Sequence, residues 1–112
     1  MITDLRTQVY RFLLVREERD SRLAVSVVLT SYRDQSEAEV WARFRRGLTD
    51  WTKTPEGDKE WKASGEDFNI GDLSSIPEAS YLPSLKNAGI LSISIKEFDG
   101  EPRSYDEVLI DR

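Results

Sequence analysis

The sequence predicts an α+β domain built on a four-stranded antiparallel sheet in ββ-α-α-ββ order, its two hairpins flanking two helices that pack on one face. Three observations carry this expectation. Two stretches near the N-terminus alternate apolar and polar residues around a charged break. A helix-period stripe with a start signal occupies Ser36–Thr54. A third alternating run, Ile90–Phe98, precedes an Asp99-Gly100 turn and a short final segment. An antiparallel sheet with its helices on one side is the layer arrangement that buries all of these faces together.

Leu5–Val15 is the first expected strand. Tyr10, Phe12 and Leu14 share one face, and Val9, Leu13 and Val15 share the other, interrupted by Arg11, so a central or partly covered strand is expected rather than a fully exposed edge. Glu17–Arg22 holds no apolar residue and reads as the hairpin turn. The second strand, Leu23–Tyr32, sets Leu23, Val25, Val27 and Leu29 against Ala24, Ser26, Val28 and Thr30, a period of two rich in β-branched residues.

The helix over Ser36–Thr54 follows. Val40, Trp41, Phe44, Leu48 and Trp51 fall within about a 100° arc, the width of a core-facing stripe. Glu39, Arg43, Arg46 and Asp50 gather opposite, where Glu39 and Asp50 stand as intrahelical partners for the two arginines. Ser36-x-x-Glu39 reads as a capping box. Gly47 costs roughly 1 kcal/mol relative to Ala inside a helix, so a close approach to the sheet is its expected reason.

Thr54–Asp58 reads as the helix end and a polar loop, and Phe68–Leu73 as a tight turn into a short helical piece. The second helix is expected to begin with Ser80 as N-cap. Pro83 then lies in the first turn, Tyr81, Leu82, Leu85 and Ala88 on the buried side, and Gly89 at the stop. In the third strand Leu91, Ile93 and Ile95 face inward and Ser92, Ser94 and Lys96 outward, which leaves the far face of the sheet partly solvated. Tyr105–Ile110 is the expected fourth strand.

The chain of 112 residues fits one domain, 1–112. With no cysteine, no apolar run of the roughly 18 residues a membrane span needs, and an acid near the N-terminus, a cytoplasmic location without membrane association is the expectation. The net charge of −5 is uneven: residues 1–56 carry +1, with nine arginines among ten bases, and residues 57–112 carry −6. This dipolar distribution suits head-to-tail self-association or steering of a partner. Arginines lying on solvated strand and helix faces are the simpler account of it.

The absence of both histidine and cysteine excludes nucleophile pairs built on imidazole or thiolate, and metal sites of those ligands. Neither common phosphate-cradling glycine motif occurs. No metal and no cofactor is therefore expected, and the chain reads as a non-enzyme. An enzyme using paired carboxylates would need two acids in one cleft with separated pKa values. Asp67-x-Asn69 with Glu78 echoes a calcium loop. Gly71, however, stands where an oxygen ligand belongs and Asp72 where the turn needs glycine, so side-chain turn contacts by Asp67 and Asn69, with Asp72 starting a helix, are the simpler expectation.

Arg43, Arg45 and Arg46, with Arg33 nearby, are the one argument for nucleic acid. A pI of about 4.8 opposes it. Trp41 and Trp51 belong to the core by periodicity, whereas Trp61, among Lys59, Glu60 and Lys62, is the tryptophan expected to be partly exposed.

The candidate binding residues are thus Arg45, Trp61, Asp67, Asn69 and Asp72. The function expected is a protein-interaction domain, binding another protein or a second copy as a homodimer, through a sheet edge or the Trp61 region. The alternative is a small-molecule pocket between helix and sheet, lined by Trp51, Trp61, Tyr10 or Tyr81 and an arginine.

Overall fold

The computed structural model describes residues 6–18, 21–66, 68 and 70–98. Within them the order is β1 (Thr7–Glu18), β2 (Ser21–Tyr32), α1 (Glu37–Thr52), α2 (Pro55–Ala63), a short 3-10 helix (Ile70–Ser75), α3 (Glu78–Asn87) and β3 (Ile90–Phe98). The fold is α+β with a three-stranded antiparallel sheet, order β1-β2-β3, and three helices. This corrects the expected four-stranded sheet with two helices. The fourth strand had been placed on Tyr105–Ile110, which lies outside the described residues. It rested on two alternating apolar positions, too short a run to specify a strand.

The extra helix is α2, hidden by reading Pro55 as a terminator. Thr54 caps it, its hydroxyl accepting from Gly57 N–H at 3.1 Å, and Pro55 occupies the first turn, where a missing N–H does no harm. The corner from α1 to α2 is correspondingly tight. Thr54 N–H and the Thr54 hydroxyl both donate to Trp51 O, at 2.9 and 2.6 Å. A Cβ on Gly57 would lie 1.8 Å from that same carbonyl oxygen, so only glycine fits.

The hairpin runs further than expected, with Thr7 opposite Tyr32 and Glu18 opposite Ser21, so Glu17 and Arg22 belong to strands. Tyr10, Phe12 and Leu14 pair with Leu29, Val27 and Val25 on the core face. On β3 the core-facing set is Ile90, Ile93 and Ile95, in place of the expected Leu91, Ile93 and Ile95. A bulge opposite Thr30/Ser31 is the cause: Thr30 pairs with Ser92 but Ser31 with Ile90, so Leu91 is the extra residue and the pleat shifts by one.

α1 lays Val40, Phe44, Leu48 and Trp51, all fully buried, onto this face. Each such burial contributes about 1.5–3 kcal/mol. Ser36 caps it, accepting from Glu39 N–H at 3.1 Å. Gly47 is buried against α3 rather than the sheet; a Cβ there would meet Leu85 Cδ2 at 2.9 Å and Leu85 Cα at 3.2 Å. α3 begins at Glu78 after Pro77, so Ser80 sits inside the helix instead of capping it, with its Oγ accepting from the Trp51 indole N–H at 3.1 Å. Gly89, with φ of +92°, turns the chain into β3.

A partly buried polar knot ties the sheet end to the turn at Gly89. Ser31 Oγ donates to Gly89 O at 2.8 Å, Gln35 Nε2 donates to Ser31 Oγ and Tyr32 O, and the Tyr10 hydroxyl donates to Tyr32 O at 3.0 Å. The result is two layers in a body 24 Å thick along its shortest axis. No helix among the described residues is long and apolar enough to cross a membrane.

Candidate functional site

β1 is twelve residues long, and its sequence, TQVYRFLLVREE, contains no proline, glycine or lysine. Edge strands are ordinarily blunted by such residues or by a bulge. In this sheet the bulge lies between β2 and β3 instead. Among the described residues β2 is the only strand paired with β1. β3, at the other edge, is flanked by α3 and the 3-10 helix.

The direction of the β1 backbone follows from one hydrogen bond. Arg33 N–H donates to Arg6 O at 3.0 Å, continuing the register in which Thr7 faces Tyr32. Bonded pairs in an antiparallel ladder recur every second residue. Gln8, Tyr10, Phe12 and Leu14 therefore direct their N–H and C=O groups at β2, and Val9, Arg11, Leu13 and Val15 direct theirs outward.

The side chains along this edge are apolar on both faces. On the core side Phe12 and Leu14 are half-buried, and so is Trp41 of α1, whose ring centroid lies 4.8 Å from that of Phe12 and 5.1 Å from that of Phe44. They form the rim where the core reaches the sheet edge. On the other face Val9 is 50% exposed, and Tyr32, its diagonal neighbour, is 52% exposed. Arg11 stands exposed between Val9 and half-buried Leu13. The described side chains of this uncovered face include Arg11 and Lys96 and no carboxylate, in a chain of net charge −5.

The residues singled out from sequence are scattered. Arg45 is exposed on α1, one turn beyond Trp41. Trp61 is 7% exposed and belongs to the core, against the expectation of partial exposure. Gly57 and Trp61 are i and i+4 on α2, so both face inward, and the charged neighbours occupy the remaining faces. Asp72 lies in the 3-10 helix, where its carbonyl oxygen accepts from the Ser75 hydroxyl at 2.9 Å. Asp67 and Asn69 lie outside the described residues. No ion pair joins Arg43 to Glu39 or Arg46 to Asp50; among the described residues Lys62 and Asp58 form one, at 3.0 Å.

Tyr10, Trp51, Trp61 and Tyr81, the lining imagined for a ligand pocket, are all core side chains. Burial, and secondarily the Glu78 carboxylate, hold the Tyr81 phenol above its ordinary value. A cleft of about 390 Å³ opens elsewhere, between α2 and the start of α3, lined by Glu56, Lys59, Glu60, Ile76, Pro77, Ala79 and Ser80, without an aromatic group.

Sequence reading named a sheet edge in general but none of Val9, Arg11, Leu13 or Trp41 as its residues. The run Val9–Val15, apolar on both faces, reads in sequence as a central or partly covered strand, whereas among the described residues β1 pairs with β2 alone. Periodicity had also assigned Trp41 wholly to the core, although it lies on the flank of the α1 stripe. No family model, curated protein or solved structure matches the chain.

Proposed function

We propose that the chain is a protein-interaction domain that takes up an extended segment of another polypeptide by strand addition along the outer edge of β1. The observation that carries this reading is the outward set of backbone groups at Val9, Arg11 and Leu13 on a long strand that has no proline or lysine and pairs with β2 alone among the described residues. Such an edge gives affinity through main-chain hydrogen bonds, and specificity through alternate side chains. The half-buried Phe12, Leu14 and Trp41 on one side, and Val9 and Tyr32 on the other, supply apolar surface for those side chains.

Selection of extended peptides from a displayed random library, on the wild-type chain and on the Arg11→Pro variant, tests it. Proline at Arg11 removes an outward N–H while sparing the bonds to β2. Peptides that bind the wild type and lose binding on the variant support strand addition. Binding that survives the proline, or a library that yields no binder, overturns it.

A further inference from the structure

The same edge carries a pattern that selects one partner. The apolar run of β1 spans Val9 to Val15, and its midpoint is Phe12. We propose that β1 pairs antiparallel with β1 of a second copy about a two-fold axis through Phe12, making one continuous six-stranded sheet. This rests on the strand-addition reading and names the strand that is added.

The register follows from three requirements. Residues that face each other across a two-fold antiparallel pair must lie on the same side of the sheet, so the numbers of paired residues sum to an even value. They must also direct their backbone groups outward in matched pairs, which the alternation at Val9, Arg11, Leu13 and Val15 provides. Among the even registers near the centre, charge and apolar matching then decide.

Centring on Arg11 sets two Arg11 side chains directly opposite, which is repulsive. Centring on Leu13 carries Val9 and Tyr10 beyond the end of the partner's apolar run, which closes at Val15. Centring on Phe12 sets Val9 opposite Val15, Tyr10 opposite Leu14, and Arg11 opposite Leu13. That register sets the whole run Val9–Val15 opposite itself.

The core rim gains as well. A two-fold axis normal to the sheet keeps both helical layers on one side. The Phe12 side chains of the two copies then meet as a non-hydrogen-bonded pair, where Cα atoms lie about 4.5 Å apart. Trp41 of each copy, already 4.8 Å from its own Phe12, flanks that pair, so the half-buried aromatic edge becomes the interior of a larger core. An isologous contact of this kind closes on itself as a dimer.

The test uses the absence of cysteine from the chain. Single variants Arg11→Cys, Phe12→Cys and Leu13→Cys each place one thiol on β1, and a thiol bridges to its copy only where the axis sets it opposite itself. Under mild oxidation Phe12→Cys is expected to form a covalent dimer at least tenfold faster than either neighbour. Sedimentation of the wild type at about 10 and 200 µM is the companion measurement, because Phe12→Cys removes a packed ring and mass action reports the native contact directly. A rise in mass toward the dimer at the higher concentration, lost in Arg11→Pro with unchanged circular dichroism, supports the pairing.

A wild type that stays monomeric at both concentrations overturns the self-pairing, and crosslinking fastest at Arg11 or Leu13 overturns the register. If the wild type is monomeric while edge-selected peptides still bind, strand addition stands and the second copy as partner falls. If neither occurs, both fall.

Discussion

The α1–α2 corner and the outer edge of β1 use the same backbone chemistry to opposite ends. At the corner one carbonyl, Trp51 O, accepts from both the N–H and the hydroxyl of Thr54, and Gly57 packs against it so closely that no Cβ fits. Along β1, alternate residues direct both backbone groups away from the sheet. A saturated backbone fixes one geometry and tolerates no added atom. An edge strand tolerates change outward and fails only when the inward ladder is touched. The stability of this chain should therefore be far more sensitive in the helical layer than at the site proposed for binding.

Gly57→Ala is the strongest way to break that contrast. A methyl 1.8 Å from Trp51 O has to separate α1 from α2, and because the obstacle is backbone it cannot rotate aside. A loss of about 3 kcal/mol or more is expected, read as a lowered urea midpoint. Gly47→Ala is the milder relative. Its Cβ would meet the flexible Leu85 Cδ2 at 2.9 Å but also Leu85 Cα at 3.2 Å, while helix propensity returns roughly 1 kcal/mol. A net cost of about 1–2 kcal/mol is expected. A stabilised Gly47→Ala would show that the α1–α3 contact yields.

These two glycines also show where sequence reasoning ends. Val40, Phe44, Leu48 and Trp51 were legible because a 3.6-residue period needs only one helix to be seen. Gly47 announced a close approach without saying to what, and the answer, α3, depends on tertiary placement. Pro55 and Ser80 failed for a different reason. Proline after a Thr can end one helix or start the next, and the choice here depends on Trp51 O accepting from Thr54 at the corner. In β3 the alternation was visible but the bulge at Leu91 was not, since it is a property of the pair rather than of either strand. That β1 pairs on one side only among the described residues was invisible for the same reason, because strand order is a fact of topology.

Ser80→Ala probes the helical layer through a single bond. It leaves the Trp51 indole N–H, in a fully buried ring, without its acceptor at 3.1 Å, at a cost of about 1–3 kcal/mol in the denaturant midpoint. The neighbouring Tyr81 adds a pH dependence. Burial first, and the Glu78 carboxylate second, raise its folded pKa above the unfolded value near 10. The folded state then holds its proton more tightly, so this contribution is intact below about pH 10 and is lost as pH rises through the folded pKa. Urea midpoints measured either side of that range should fall more steeply for the wild type than for Tyr81→Phe. Equal slopes would mean that Tyr81 does not report on the packing between α1 and α3.

The smallest effect is expected at Arg11 of β1, and its comparison with the adjacent Tyr10 is the sharpest test of the contrast. Tyr10 directs its N–H at β2, opposite Leu29, and Arg11 directs its N–H outward. Proline at Tyr10 deletes a ladder bond and the hydroxyl that donates to Tyr32 O, and should cost about 3 kcal/mol. Proline at Arg11 deletes no bond within the fold. Its cost should be about 1 kcal/mol, from the fixed φ alone, when unfolding is followed at a concentration low enough to exclude association. The difference between these neighbours measures how far the outer edge is uncoupled from the fold's own stability. That uncoupling is what a strand-accepting surface requires, since residues that bind a partner are then free of the work of holding the sheet together. Equal costs at the two positions would place an intramolecular partner on the Arg11 backbone and remove the edge as a binding site.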